Sequence, residues 1–317
     1  MEWPRLRIGI SACLLGEPVR FDGGHRRDDF VRRLLDPYVE WIPVCPEAEV
    51  GMGIPREPVI LVGDPASPRL VGRRSGRDWT EAMERWAAAR LEELAALDLD
   101  GFILKKGSPS CGLFRVPVHT ESGMPGRTGS GLFARALVRR WPMLPVEEEG
   151  RLRDPALRER FIAALFTYRR WRDWQRSFPE PEGLIRFHTA HKLFLMARSP
   201  ARLQRLGQLA ARAGRRWPEI LPDYEAELAQ AMGELLTRGR VANALHHALG
   251  YLRRMLPDPE RQELIERIQA YQEGRVPLIV PLTLFRHHLQ KASAPEWLRQ
   301  QILWHPYPEE LVWRSPL

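Results

Sequence analysis

The sequence predicts an α/β N-terminal domain with a parallel, Rossmann-like sheet in three layers, followed by an all-α C-terminal domain. Three features lead to this prediction. The chain has 317 residues, which is too long for one small core. Short apolar runs alternate with amphipathic helical patterns over residues 1–150, as is typical of a parallel sheet covered on both faces. From residue 151 onwards the pattern is helical, without a convincing strand.

The elements of the first half follow from their hydrophobic periods. Four short apolar runs predict strands at residues 6–12, 40–45, 100–106 and 143–150. Amphipathic stretches between them predict helices at residues 28–39, 78–97 and 131–141. Thr80 is the expected N-cap of the second helix.

The second half carries six further amphipathic runs. They predict helices near residues 184–197, 200–213, 223–237, 241–254, 259–273 and 283–291. The stretch SFPEPEG at 177–183 breaks the helical pattern and is the predicted linker. We therefore expect one domain over residues 1–170 and a second over 180–317.

Composition and charge restrict the class of protein. With 44% hydrophobic and 28% charged residues, the chain resembles ordinary soluble proteins. No apolar run reaches the roughly 18 residues of a transmembrane helix, and the N-terminus lacks the basic start and long apolar core of a signal peptide. These features predict a cytoplasmic protein.

The formal net charge of +8 is unevenly distributed. Residues 1–150 hold 21 Lys and Arg against 22 Asp and Glu, whereas residues 151–317 hold 27 against 18. A basic second half indicates a polyanionic partner. The alternative is an arginine-rich surface that faces only solvent.

Three cysteines each follow a predicted strand. Cys13 and Cys45 come directly at strand ends, and Cys111 follows the third strand on a Gly-Ser-Pro-Ser turn. Because the carboxyl ends of parallel strands share one edge, where ligands bind, we expect the three thiols to meet there. They suit zinc, a 4Fe–4S cluster with one iron lacking a protein ligand, or a redox pair with a spare thiol. Three unrelated packed cysteines are the remaining alternative.

Polar residues beside these cysteines favour a reaction centre. Glu47 and Glu49 follow Cys45, and Ser108 and Ser110 precede Cys111. Ser110 is also a candidate for substrate binding. A glutamate at this position is suited to act as general base on a water molecule. The alternative role for such a glutamate is a helix or turn cap.

Two loops supply weaker candidates for substrate binding. Asp22 and His25 lie in a turn that follows Cys13 closely enough to cover the crevice. Gly129, Ser130 and Gly131 belong to a glycine-rich stretch that opens a helix, where backbone N–H groups can hold an anion such as a nucleotide phosphate.

Several long motifs carry a family resemblance. The segments ISACLLGEPVRFDGGHRRD, WIPVCPEAEVGMGIPREP, DGFILKKGSPSCG, GRTGSGLFA and PVEEEGRLRDP resemble the thiouracil desulfidase family over about residues 6–170. In the second half, LIRFHTAHKLFLMA, NALHHALGYLRR, IQAYQEGRVPLIVPLTLFRHHL and HPYPEEL resemble the helical domain often fused to it. The fused form resembles bacterial tRNA 4-thiouridine desulfidases.

The resemblance implies specific roles. It implies a 4Fe–4S cluster on Cys13, Cys45 and Cys111, with Glu47 and Ser108 as the catalytic residues. It also implies that the helical domain binds tRNA that contains 4-thiouridine, and that sulfur leaves the base as sulfide. Two alternatives stay open, namely a desulfidase of free thiouracil or another small thiolated compound, and an RNA-binding iron–sulfur sensor without turnover.

Overall fold

The computed structural model describes most of the chain. The described residues are 3–120, 124–177, 179–291 and 294–313, without the side chains of 125, 127, 312 and 313. They form two compact units, Met1–Arg153 and Asp154–Leu317. The domain extents of 1–170 and 180–317 stay predictions, and Phe178 of the predicted linker lies outside the described residues.

Two sheets form in the first unit. Its strands are β1 Leu6–Ser11, β2 Val39–Val44, β3 Val59–Val62, β4 Arg69–Gly72, β5 Gly101–Leu104, β6 Val116–His119, β7 Pro125–Gly129 and β8 Val146–Glu148. The first sheet has the order β2-β1-β5-β8, and its strands pair in parallel. This confirms the four strands and the parallel sheet predicted from the sequence.

The centre of the parallel sheet is apolar on both faces. Strand β1 reads LRIGIS, and Leu6, Ile8 and Ile10 are buried, as expected for an interior strand of a covered parallel sheet. Gly9 lies against the ring of Phe102 on β5, where a Cβ atom would come within 2.2 Å of the ring. The absence of a side chain at Gly9 therefore makes room for Phe102 between the strands.

The second sheet was not predicted. It has the order β4-β3-β6-β7, with a parallel β3–β6 pair flanked by two antiparallel pairs. Its buried face packs in one apolar cluster with Met83 and Leu132, which come from two helices of the unit. The next residue, Phe133, contacts Phe102 of the parallel sheet, with ring centroids 5.7 Å apart.

The helices of the first unit are α1 Asp29–Leu35, α2 Pro46–Glu49, α3 Thr80–Ala95 and α4 Leu132–Arg140. Asp28 caps α1, since its carboxylate accepts the N–H of Val31 at 3.0 Å. The expected cap at Thr80 is wrong. Thr80 is the first helical residue, and its hydroxyl accepts the N–H of Leu70 instead, which ties α3 to β4.

The second unit is helical throughout its described residues. Its helices are α5 Pro155–Ser177, α6 Pro181–Arg198, α7 Pro200–Arg212, α8 Leu221–Gly233, α9 Arg238–Leu252, α10 Asp258–Gln272, α11 Ile279–Lys291, α12 Glu296–Arg299 and α13 Glu309–Trp313. All six predicted runs are confirmed as α6 to α11. No helix in the described part of the chain combines the length and apolar character that crossing a membrane requires.

Aromatic and charged side chains are buried together in this unit. Trp171 stacks on Tyr224 with ring centroids 5.3 Å apart. Arg198 is fully buried and forms an ion pair with Glu159 at 2.5 Å. Removing one partner of such a pair leaves an uncompensated buried charge, so these two residues are structural.

Candidate metal and catalytic site

The three cysteines converge at the carboxyl edge of the parallel sheet. Cys13 lies in a short 3₁₀ turn after β1, Cys45 is the N-cap of α2 directly after β2, and Cys111 lies in the loop after β5. All three line one cavity of about 250 Å³, which we call the thiol cavity. None of them forms a disulfide. The parallel strands share one carboxyl edge, and residues 13, 45 and 111 therefore lie near one another.

Burial keeps these thiols protonated in the absence of a bound cation. It raises the pKa of Cys13 to about 11, and the nearby Cys45 contributes to this shift. Burial also raises the pKa of Cys45, and that of Cys111 rises well above its usual value. Each thiolate disfavours ionisation of its neighbours, so a bound metal group that supplies positive charge would displace the protons.

Three thiols that line one cavity are a donor type that an iron–sulfur cluster takes. Among the described residues, no three His, Cys, Asp or Glu side chains are arranged to hold one metal ion. Thiolates on a single zinc ion lie about 2.3 Å from the metal and hence close to one another. In an iron–sulfur cluster each cysteine binds a different iron, which suits three thiols spread around one cavity.

Glu47 lies on the wall of the thiol cavity, in the first turn of α2. Its Oε2 atom accepts hydrogen bonds from Arg56 Nη2 at 2.7 Å and Nε at 3.1 Å. Its Oε1 atom accepts from the hydroxyl groups of Ser110 at 3.0 Å and Ser108 at 3.3 Å. The side chains of Glu47 and Arg56 are only 14% and 5% exposed. The carboxylate is therefore fixed in one orientation at the cavity wall.

Sequence reasoning missed Arg56. Besides Glu47, this guanidinium binds the carbonyl oxygens of Val19 and Gly53 at 3.0 and 3.1 Å, so it joins three segments around the cavity. Nine positions separate Glu47 from Arg56, with no helical or strand period between them. The one sequence signal for such a pair is an arginine nine positions after a candidate glutamate, which by itself is weak.

Ser108 organises the turn that carries Cys111. Its hydroxyl oxygen accepts the N–H groups of Ser110 at 3.2 Å and Cys111 at 3.1 Å, while the hydroxyl donates to Glu47. The buried carboxylate of Glu148 accepts the N–H groups of Leu113 and Phe114 on the other side of Cys111. Hydrogen bonds therefore hold the Cys111 loop on both flanks.

Lys105 lies at the end of β5, beside the thiol cavity. Its N–H donates to the Ser11 hydroxyl at 2.9 Å, and its ammonium group pairs with Glu149. The positive charges of Lys105 and Arg20 act against the burial that raises the pKa of Cys13. Basic side chains at the cavity wall thus offset part of the effect of burial on the Cys13 thiol.

The glycine-rich stretch leads into residues that are hydrogen-bonded to the loop carrying Cys111. The N–H of Gly131 donates to the carbonyl of Gly112 at 2.7 Å, and those of Leu132 and Ala134 donate to Pro109 and Ser110. These first N–H groups of α4 are therefore already paired and not available to a nucleotide phosphate. The roles of Gly129, Ser130 and Gly131 in substrate binding stay predictions, and none of the three lines the thiol cavity.

The close approach at Gly131 gives a testable consequence. A Cβ atom there would lie 2.5 Å from the carbonyl carbon and oxygen of Ser110. Gly131→Ala should lower the free energy of unfolding by about 1–3 kcal/mol and loosen the Cys111 loop. Urea denaturation monitored by circular dichroism measures this change. Gly250→Ala is the matched control, because open space surrounds Gly250 in α9; equal unfolding midpoints for the two variants would contradict the account.

The remaining predicted residues lie at the margin. The exposed Asp22 accepts the N–H of Gly24 and pairs with Arg20, and it does not line the thiol cavity, although Arg20 does. His25 is exposed, and its Nδ1 atom accepts the N–H of Arg27. Glu49 accepts the N–H of Cys45 at 2.8 Å and pairs with Arg90, so it supports the Cys45 turn.

Comparison with known proteins gives two matched regions. A family model described as 2-thiouracil desulfurase matches residues 8–149, and one described as a protein of unknown function (DUF1722) matches residues 192–308. Both regions agree with the two-part resemblance drawn from the sequence.

Curated relatives and one solved structure match the chain in part. It is 35% identical over 135 residues to the uncharacterized protein YbbK of Bacillus subtilis (strain 168), which covers 41% of this chain and 88% of that protein. It is 31% identical over 131 residues to the uncharacterized protein YbgA of Escherichia coli (strain K12), covering 40% of this chain and 75% of that protein. The solved structure is the 4Fe-4S-dependent thiouracil desulfidase TudS, with 32% identity, 46% of this chain and 93% of that chain covered, and a TM-score of 0.37.

Proposed function

Because the chain belongs to the 2-thiouracil desulfurase family through residues 8–149, we propose that it removes sulfur from 4-thiouridine in tRNA. The reaction replaces a thiocarbonyl by a carbonyl and releases sulfide. The observation that carries the proposal is the thiol cavity itself, which Cys13, Cys45, Cys111, Glu47 and Ser108 all line.

Cys13, Cys45 and Cys111 are the residues that would hold a 4Fe–4S cluster. With one iron free of protein ligands, such a cluster supplies a soft Lewis acid for the thiocarbonyl sulfur. The pairing of Glu49 with the Cys45 N–H, and of Ser108 with the Cys111 N–H, fixes the backbone at two of the three thiols.

Glu47 is the general base in this proposal. It takes a proton from a water molecule, whose oxygen forms a bond to C4 of the base. The C4–sulfur bond then breaks, and the sulfur leaves as hydrogen sulfide with the two protons that the water supplied. One of these protons passes through Glu47 and the other comes from the hydroxyl formed at C4. Atoms and electrons balance without an oxidant or reductant.

The neighbours of Glu47 position it for this step. Arg56 holds Oε2 in place, so the carboxylate keeps its orientation while a water molecule takes the place of one serine hydroxyl on Oε1. Ser108 also lines the cavity and is the residue suited to bind the base or pass on a proton. Burial of the Glu47–Arg56 pair strengthens its electrostatic effect on the cavity.

The basic second half of the chain, which has 27 Lys and Arg and 18 Asp and Glu, supports a tRNA substrate. A second candidate is the desulfidation of free thiouracil. The description of the matching family names thiouracil, and a cavity of about 250 Å³ suits a single base. A sensor without turnover would have no use for a fixed carboxylate beside the thiols.

Sulfide release separates these candidates. Protein reconstituted with iron and sulfide under anaerobic conditions should convert 4-thiouridine in tRNA to uridine with one sulfide per base. Binding of tRNA should weaken steeply with salt, whereas turnover of free 4-thiouracil should hardly respond. Unmodified tRNA is the control. Activity on free thiouracil alone would favour the second candidate, and no sulfide from either substrate would contradict both.

A further inference from the structure

A second cavity adjoins the thiol cavity. It has a volume of about 680 Å³ and shares Lys106 and Gly107 with the thiol cavity. We call it the flank cavity. The loop that carries Ser108 and Cys111 continues into it, because Leu113, Phe114 and Arg115 line its wall. One loop therefore connects the reacting centre to this neighbouring space.

Positive charge is concentrated in the flank cavity. Four basic side chains line it, those of Lys106, Arg115, Arg135 and Arg151. Glu148 is the one acidic residue among its lining residues, and its carboxylate already accepts two N–H groups of the Cys111 loop. The first 150 residues are nearly neutral overall, with 21 basic and 22 acidic residues. The positive charge here is thus a local feature and not part of a generally basic surface.

Two of these cations are available to a ligand. The other two are already engaged, because Arg151 pairs with Glu147 at 2.8 Å and Arg135 donates to the carbonyl oxygens of Pro65 and Ala66. Lys106 and Arg115 are exposed, and neither side chain has a carboxylate partner within the described part of the chain.

An exposed aromatic ring also lines the flank cavity, among its basic residues. Phe114 is 40% exposed, and the guanidinium of Arg151 lies 4.6 Å from its ring centroid. Aromatic rings interleaved with basic residues are the surfaces on which single-stranded nucleic acids stack their bases. A free pyrimidine base has no phosphate for the cations, so a nucleotide fits this cavity better.

The backbone at Arg115 is a further sign of function. Its φ angle is 51°, in the left-handed region that glycine adopts freely and other residues avoid. Residues held in this region tend to lie at binding sites. Arg115 follows Phe114 directly, and both residues line the flank cavity.

We infer that the flank cavity binds the nucleotide next to the reacting base in an RNA strand. The neighbouring base stacks against Phe114, and its phosphate contacts Lys106 and Arg115. This inference rests on the proposed function and makes the substrate a polynucleotide. A phosphate of the same chemistry occurs in a free mononucleotide, so the test compares both sources.

Two measurements on the full-length reconstituted protein test this site. The first is fluorescence anisotropy with labelled hexauridylate, which reports binding without turnover. The second is sulfide release from 4-thiouracil, from 4-thiouridine 5′-monophosphate and from a trinucleotide with central 4-thiouridine. The variants are Arg115→Gly, which removes the charge and suits the backbone, and Phe114→Leu, which keeps an apolar side chain. Arg85→Ala, an exposed arginine of α3 outside both cavities, is the matched control.

Arg115→Gly should weaken hexauridylate binding several-fold and reduce the slope of log K against log salt by about 0.7, as expected for the loss of one phosphate contact. Phe114→Leu should weaken binding about tenfold with an unchanged slope. In both variants the kcat/KM for the trinucleotide should fall about tenfold relative to that for 4-thiouracil, and the Tm of Arg115→Gly should equal or exceed that of the wild type.

Wild-type binding by both variants would overturn the inference. A loss of kcat/KM for 4-thiouracil in the two variants equal to the loss for the trinucleotide would also overturn it. So would a loss of kcat/KM for 4-thiouridine 5′-monophosphate as large as the loss for the trinucleotide. The proposed function fails separately if the wild-type protein releases no sulfide from any substrate, because the anisotropy measurement still reports on the flank cavity.

Discussion

Glu47→Gln is expected to lower sulfide release by about 10²–10⁴-fold while the iron content of the protein stays unchanged. The amide keeps the size of the carboxylate and can still accept hydrogen bonds from Ser108 and Ser110, but it cannot take a proton from water. Since Glu47 is not one of the three thiols, its replacement should leave the visible absorption of the cluster intact. Single-turnover sulfide release and the absorption spectrum measure the two quantities on the same sample.

Glu49→Gln is the matched control for this substitution. Glu49 lies two residues further along the same short helix, does not line the thiol cavity, and accepts the N–H of Cys45, which an amide oxygen can also accept. We expect this variant to keep activity within a few-fold of the wild type. Substantial activity in Glu47→Gln, or an equal loss in both variants, would remove Glu47 from the role of base.

Glu47→Gln is also expected to lower stability, and this effect must be separated from its effect on catalysis. Arg56 is almost fully buried, and Glu47 is its carboxylate partner. A neutral partner leaves this guanidinium without a counter-charge, so the free energy of unfolding should fall. An unchanged cluster spectrum in Glu47→Gln would show that the loss of turnover does not come from a collapsed site.

The sequence predicted those elements that have strong local signals. The strands of the parallel sheet are apolar runs such as the buried GFIL of β5. The predicted helices of the second unit, α6 to α11, each span 13 residues or more without a strand pattern. The convergence of Cys13, Cys45 and Cys111 needed only the rule that parallel strands share a carboxyl edge.

The second sheet has one apolar run, the VILV of β3, which was not predicted as a strand, and weaker signals in its other strands. Strand β4 begins with an arginine and ends with a glycine, and Pro117, a residue that strands disfavour, lies at an exposed position of β6. A register irregularity between Pro117 and His119 weakens the pattern further. Short strands of this kind form because they pack on α3 and α4, which is information that no local window of sequence contains.

Tertiary contacts also decided the details of the site. The role of Gly131 in holding an anion stays a prediction, and the structure shows that this glycine packs closely against the backbone of Ser110 in the Cys111 loop. A glycine needed for a phosphate and a glycine needed for a backbone contact look alike in sequence. The pairing of Arg56 with Glu47 likewise depends on the path of the chain between them.

Replacement of any single cysteine by serine should remove both cluster and activity. Cys13→Ser, Cys45→Ser and Cys111→Ser each exchange a soft thiolate for a hard hydroxyl oxygen, which is a poor ligand for iron–sulfur clusters. The three thiols line one cavity, so the loss should be similar at all three positions. Far-ultraviolet circular dichroism should stay at the wild-type value, because the substitution changes one atom in each side chain.

The iron and acid-labile sulfide content after anaerobic reconstitution tests the central claim most directly, with Glu47→Gln as the control that keeps all three thiols. The account predicts about four iron and four sulfide per chain for the wild type and for Glu47→Gln, and little of either for each cysteine variant. A single zinc or iron ion per chain in the wild type, or full cluster content after replacement of Cys13, Cys45 or Cys111, would contradict it.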